Sequence, residues 1–162
     1  MPYKPSHVAN SFLVRAKNEG ISDVDPLKIQ KLIYNLQGWF LATRDAPVIG
    51  EQFEAWPYGP VLSSLYHEFK GAGSGPIQGY AKDIDPASGQ YSTLMVSPND
   101  TQFTEVFDRV WERYKSKSGL ALSSLTHAPG TPWSLARARG NAYLSNDEIK
   151  QHFRDLAQRD GG

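Results

Sequence analysis

The feature that most constrains this chain is a helix with too many apolar faces to lie on a surface. Asp25 followed by Pro26 supplies an N-cap and a proline in the first helical turn, where its missing N–H is harmless. Ile29, Leu32, Ile33, Leu36 and Phe40 then recur at helical spacing, which predicts a helix over 26–43. Tyr34, Gln37 and Leu41 widen the stripe to two apolar or amphipathic faces. Such a helix must be covered from more than one side, so the rest of the chain is expected to be built around it. Gly38 inside it costs up to about 1 kcal/mol relative to alanine, which points to close approach by another segment.

The remaining signals are mostly helical. Ser6 can cap a helix over about 6–19 that carries Val8, Phe12, Leu13 and Ala16, with Gly20 at its end. β-compatible pieces fall at Val48–Ile49 and Phe53–Trp56, and Pro57 stops them. Gly59 and Pro60 are expected to open a third helix bearing Val61, Leu62, Leu65, Tyr66 and Phe69. Gly71–Gly79 reads as a flexible connection. Ile77–Ala81 and Tyr91–Val96 read as a small hairpin or irregular excursion around Pro86 and Gly89. Asn99 or Asp100 can cap a helix with Phe103, Val106, Phe107, Val110, Trp111 and Tyr114 on its buried face. A shorter helix covers about 119–127, and Thr131 with Pro132 starts another. Ser145–Glu148 is a capping-box pattern opening a C-terminal helix over 145–159. The expected fold class is mainly α: one compact helical domain over 1–162, with a minor β-hairpin or short strands, α+β at most.

Composition narrows the function classes. The 162 residues suit one domain with a sizeable core. With no cysteine, disulfides, zinc–thiolate sites and cysteine nucleophiles are excluded, and a reducing cytoplasm is the expected location. Lys plus Arg equals Asp plus Glu at 17 each, which disfavours nucleic acid as the main partner. No apolar run suits a signal peptide or a membrane span. Charge is nevertheless uneven. Residues 82–108 hold Lys82 against Asp83, Asp85, Asp100, Glu105 and Asp108, whereas 109–139 holds Arg109, Arg113, Lys115, Lys117, Arg137 and Arg139 against Glu112. These are either solvated helix faces or a basic surface facing an acidic partner.

No reacting constellation stands out. His7, His67, His127 and His152 lack metal-ligand spacing, so no metal is expected. The stretch GAGSGPIQG has Pro76 where a dinucleotide loop needs its last glycine, and it lacks the ending of a phosphate loop. No nucleophile elbow is present, and Asp83 and Asp85 read as solvated turn carboxylates. The expectation is no catalytic residue, no cofactor and no enzyme. Aromatic residues are more informative. Trp111 after Phe107 reads as core, while Trp56, Tyr58 and Trp133 stand at turns, where they can pack or serve as half-exposed partner contacts.

Three segments together, KIQKLIYNLQGWFLA (28–42), FEAWPYGPV (53–61) and LSSLTHAPGTPW (122–133), resemble the signature blocks of the Panacea domain, also called the SocA-like or phage-associated GepA-like family. The resemblance covers about residues 6–140. It implies a compact, largely helical antitoxin of a bacterial or phage toxin–antitoxin pair that neutralises a cognate toxin by direct protein contact. An alternative it carries is a proteolytic adaptor that hands a bound toxin to a protease. A small hydrolase or nucleotide-binding enzyme without a visible motif is the alternative from another class. The residues carried over by position are Lys28, Gln30, Lys31, Tyr34, Gln37, Trp39, Ala55, Trp56, Tyr58, Gly59, Pro60, His127, Pro132 and Trp133.

Physical chemistry divides these residues. Gly59–Pro60 and Pro132 suit helix starts, and Tyr34 and Trp39 suit packing. Lys28 and Lys31, placed one turn apart on the polar side of the central helix, together with Tyr58, His127, Trp133 and Arg137 near the turns, are the expected partner-binding residues. His127 has a second reading, in which it satisfies backbone carbonyls at its helix end.

Overall fold

Asp25 caps the central helix as its sequence requires, its carboxylate accepting from the Lys28 N–H at 2.7 Å. In the computed structural model, which describes residues 2–160, this helix is α2 (Pro26–Arg44), and an unbroken run from Lys28 to Gly38 is buried. Around it lie α1 (Pro5–Asn18), α3 (Ser63–Phe69), α4 (Thr101–Tyr114), α5 (Gly119–His127) and α7 (Asn146–Arg159), with α6 (Pro132–Arg139) bridging α5 and α7. Gly38 is needed where α7 crosses: a Cβ there would fall 2.1 Å from the Phe153 ring.

Local signals set most helix starts. Asp100, Ser118, Thr131 and Ser145 each cap the following helix through the side chain. The expectation of a third helix opening at Gly59–Pro60 is corrected. Those residues form β2 (Gly59–Val61), antiparallel to β1 (Glu54–Trp56) in the register Glu54↔Val61, Ala55↔Pro60 and Trp56↔Gly59. The physical reason is backbone geometry: Gly59 has φ 114°, outside the helical region, its strand stays paired through Val61 and Leu62 is extended, so the helix begins at Ser63. On its other side β1 meets the 142–144 segment, with Ala55 N donating to Ala142 O and Leu144 N to Phe53 O.

The second excursion is slighter. β3 (Asp83–Ile84) and β4 (Tyr91–Ser92) pair antiparallel across a turn that holds Pro86 and Gly89. Ile77–Ala81 forms no strand, because its backbone bonds elsewhere: Ile77 N donates to Val24 O, and Ala81 N to Asn10 Oδ1. Asp83 is not a free turn carboxylate, since it receives Lys4 Nζ at 2.9 Å and lies 3.1 Å from His7 Nε2.

Buried amides tie the loops to the helices. Asn10 donates to the carbonyls of Ala81 and Leu94, and Gln37 accepts from the N–H groups of Val48 and Ile49. Gln30 both accepts from and donates to the backbone of Leu62. Among the described residues no buried side-chain polar atom lacks a partner, so these amides do not carry the desolvation penalty of about 1–3 kcal/mol that an orphan would.

Candidate partner-binding site

The β1–β2 hairpin turns at Pro57–Tyr58, and side chains from three helices hold its carbonyls. Arg137 Nη1 donates to Ala55 O at 3.0 Å and Trp133 Nε1 to Trp56 O at 2.6 Å. His127 directs Nε2 at Pro57 O, 3.2 Å away. Ser123 Oγ donates to Tyr58 O at 2.9 Å. Lys31 Nζ donates to Pro60 O at 3.1 Å, and Gln30 Nε2 to Leu62 O at 3.0 Å. A short two-stranded ribbon is marginal in isolation. Here the carbonyls of Ala55, Trp56, Pro57, Tyr58, Pro60 and Leu62 are each held from outside the ribbon.

Packing closes the clamp. The His127 and Trp133 rings lie 4.1 Å apart between centroids, and the Arg137 guanidinium sits over the Trp133 ring at 5.9 Å. His127 Nδ1 approaches the Ser123 carbonyl at 2.6 Å, so both ring nitrogens face carbonyl oxygens. That is the helix-end role of its second reading. A Cβ at Gly59 would fall 2.7 Å from Lys31 Cε and 2.9 Å from Thr126 Oγ1, so α2 and α5 approach the strand as closely as glycine permits.

The lysines expected on a polar face are the clearest correction. Lys28 and Lys31 are both 0% exposed. Lys28 Nζ donates to Asp23 at 2.8 Å and to Lys115 O at 2.7 Å, which ties the start of α2 to the end of α4. Burial pushes the Lys31 amine down to about 7. Both stems cross the apolar interior because a backbone carbonyl waits at the far end, and each amine bonds within the chain. Half of the basic side chains of 109–139 are answered by acids within the chain: Arg113 pairs with Asp160, Lys115 with Glu19 and Glu112, and Arg139 with Glu148. Acids of 82–108 pair likewise, with Arg15 on Asp108 and Arg44 on Glu105. Exposed pairs of this kind contribute about 0–1 kcal/mol each.

Of the six expected partner-binding residues, four (Lys31, His127, Trp133 and Arg137) converge on the hairpin, and their polar atoms hold its backbone. Lys28 is elsewhere. Tyr58 is the one the clamp displays, with its carbonyl fixed and its side chain 73% exposed. Other apolar side chains flank the hairpin. Tyr66 packs at a tilt against Trp56 with centroids 4.9 Å apart, Tyr143 pairs opposite Glu54, and Leu120, 75% exposed, stands one turn before Ser123 on α5. The sequence gives neither Ser123 nor Gln30 its hairpin-holding role. The signal for Gln30 was an amide amid an apolar helix, and for Ser123 its place in the third signature block. Among the described residues, no three His, Asp or Glu side chains are grouped to hold a metal, and no helix is long and apolar enough to cross a membrane.

The profile of the antitoxin SocA-like Panacea domain matches residues 29–134. The chain belongs to the SocA-like Panacea family. One relative, named Antitoxin SocA, from Caulobacter vibrioides (strain NA1000 / CB15N), is 33% identical over 128 residues, covering 79% of this chain and 67% of that protein. No solved structure matches the chain. The matched span of the Panacea domain contains the whole hairpin and five of its six clamping side chains, Arg137 lying just beyond it. The three signature segments thus meet at one place in space: the first supplies Gln30 and Lys31, the second is the hairpin, and the third supplies Ser123, His127 and Trp133.

Proposed function

We propose that this chain is an antitoxin that neutralises a cognate toxin by stoichiometric contact, without turnover, and that the clamped hairpin is where it makes that contact. The observation that carries this reading is an exposed tyrosine at the turn of a hairpin whose backbone is fixed from three helices. A large aromatic group held on a rigid support loses little entropy on binding, which is what an interface anchor needs. Exposed Tyr66, Leu120 and Tyr143 around the hairpin offer further apolar area, and family membership gives the class of partner.

Co-expression with the product of the adjacent gene, scored by rescue of growth, tests the class of function. Tyr58→Ala tests the surface. Because the side chain is exposed, thermal stability should stay within about 0.5 kcal/mol of wild type. Toxin binding should weaken by roughly 1.5–3 kcal/mol, the value of burying a large apolar side chain. A folded Tyr58→Ala protein that binds and rescues as wild type does would place the interface elsewhere.

A further inference from the structure

A cleft of about 710 Å³ opens between the C-terminal half of α2, one face of α4 and the end of α7. Trp39 forms part of its wall, and the buried Val106 and Val110 form its floor. Arg44, Arg109 and Arg113 line its rim. The sequence of α4 explains the division: 105, 109 and 113 recur at four-residue spacing as a charged stripe beside the inward-facing 106 and 110.

The rim is only partly neutralised. Arg44 pairs with Glu105 at 2.5 Å and Arg113 with Asp160 at 2.5 Å, while Arg109 has no ion pair or side-chain hydrogen bond among the described residues. One wall is already in place. The Arg113 guanidinium lies 5.1 Å from the Trp39 ring centre and 5.5 Å from that of Tyr114, and Trp39 Nε1 donates to Tyr114 Oη at 3.0 Å.

The geometry points to a binding site for a small amphipathic anion, with a flat apolar body against Trp39, Val106 and Val110 and an acidic head on Arg109. Size separates a ligand from a protein partner. The cleft falls within the roughly 300–1,000 Å³ of small-molecule sites. Nine residues line it, against about 20–30 per side in a stable protein interface. Charge selects the ligand's sign, because the unpaired guanidinium leaves the cleft one positive charge in excess. The site stands apart from the toxin-binding reading: Lys31, which holds the hairpin, precedes Trp39 by two turns, roughly 12 Å along the axis.

The test uses the full chain and 1-anilinonaphthalene-8-sulfonate as probe. Saturable binding at one site is expected, with a Kd on the order of tens of micromolar from ordinary ligand efficiency. The Trp39 indole N–H resonance should shift during the titration. Arg109→Gln should raise the Kd roughly tenfold, as loss of a charge-assisted contact does, while Arg109→Lys recovers most of the affinity and Lys70→Gln binds as wild type. The uncharged analogue N-phenyl-1-naphthylamine should bind Arg109→Gln and wild type equally. Arg109 is exposed and unpaired, so both variants should melt as wild type does. Equal sulfonate affinity in wild type and Arg109→Gln, no saturable binding, or shifts confined to other grooves would overturn the assignment. So would displacement of the probe by an acidic amphipathic helical peptide at lower concentration than by naphthalene-1-sulfonate, an outcome that makes the cleft a protein-docking surface.

Discussion

Two β excursions leave the helical body, and they are held in opposite ways. The 53–62 hairpin is gripped by six side chains from α2, α5 and α6, and its first strand is also bonded to 142–144. The 77–96 excursion is tied only along its base, by Lys4, His7, Asn10 and Ser11 at the start of the chain, by Val24 O and by Glu68, and among the described residues nothing outside it bonds to its 85–91 turn. Its turn glycine, Gly89, has open space around it, whereas Gly59 has none. Whether outside partners reach the turn itself, rather than strand length, decides which ribbon is rigid enough to present a side chain. That argument favours Tyr58 over the equally exposed Tyr91 as an anchor, because Tyr91 sits on the loosely held excursion.

The largest expected effect comes from substituting the two turn glycines. Gly59→Ala should lose about 3 kcal/mol or more, combining a disfavoured φ with a clash against Lys31 and Thr126. Gly89→Ala carries the φ cost alone, roughly 1–2 kcal/mol. Urea unfolding of both proteins checks the contrast, and equal losses would break it. Next in size are the ties themselves. Trp133→Phe keeps an aromatic ring but removes the N–H that Trp56 O accepts, at a cost of about 1–3 kcal/mol. Amide exchange should quicken across 53–62 and leave 77–96 unchanged. Asn10→Ala should do the reverse, and exchange that rises in both regions together would mean they open as one unit.

The smallest effect per step is a slope with pH, at most about 1.4 kcal/mol for each pH unit. Burial holds the Lys31 amine near 7 in the folded chain against 10.5 when solvated. Between those values the unfolded state keeps a proton that the folded state has lost, so stability should rise with pH across that window. Below it both states are protonated and the burial penalty is present in full. Lys31→Met should remove the rise, as urea midpoints measured from pH 6 to pH 10 would reveal. An unchanged slope in Lys31→Met would mean that another group supplies it.

What the chain determined by itself was everything decided within a few residues. Asp25, Asp100, Thr131 and Ser145 cap helices through bonds to N–H groups three residues on, so α2, α4, α6 and α7 were legible from spacing alone. The centrality of α2 followed from its apolar breadth, and the close approach at Gly38 from the cost of a glycine inside a helix. The candidate site was legible only in its parts, as three segments whose residues were named without their roles. Tertiary structure decided those roles, because the partners are backbone carbonyls far away in sequence: Pro60 for Lys31, Lys115 for Lys28, and Trp56 for Trp133. A lysine spaced for a polar helix face reads as solvated until a distant carbonyl is brought within 3.1 Å of its ammonium. Gly59–Pro60 reads as a helix start until a hairpin turn sets its φ positive. Periodicity records which side of an element prefers water, whereas burial of a polar group depends on what folding brings against it.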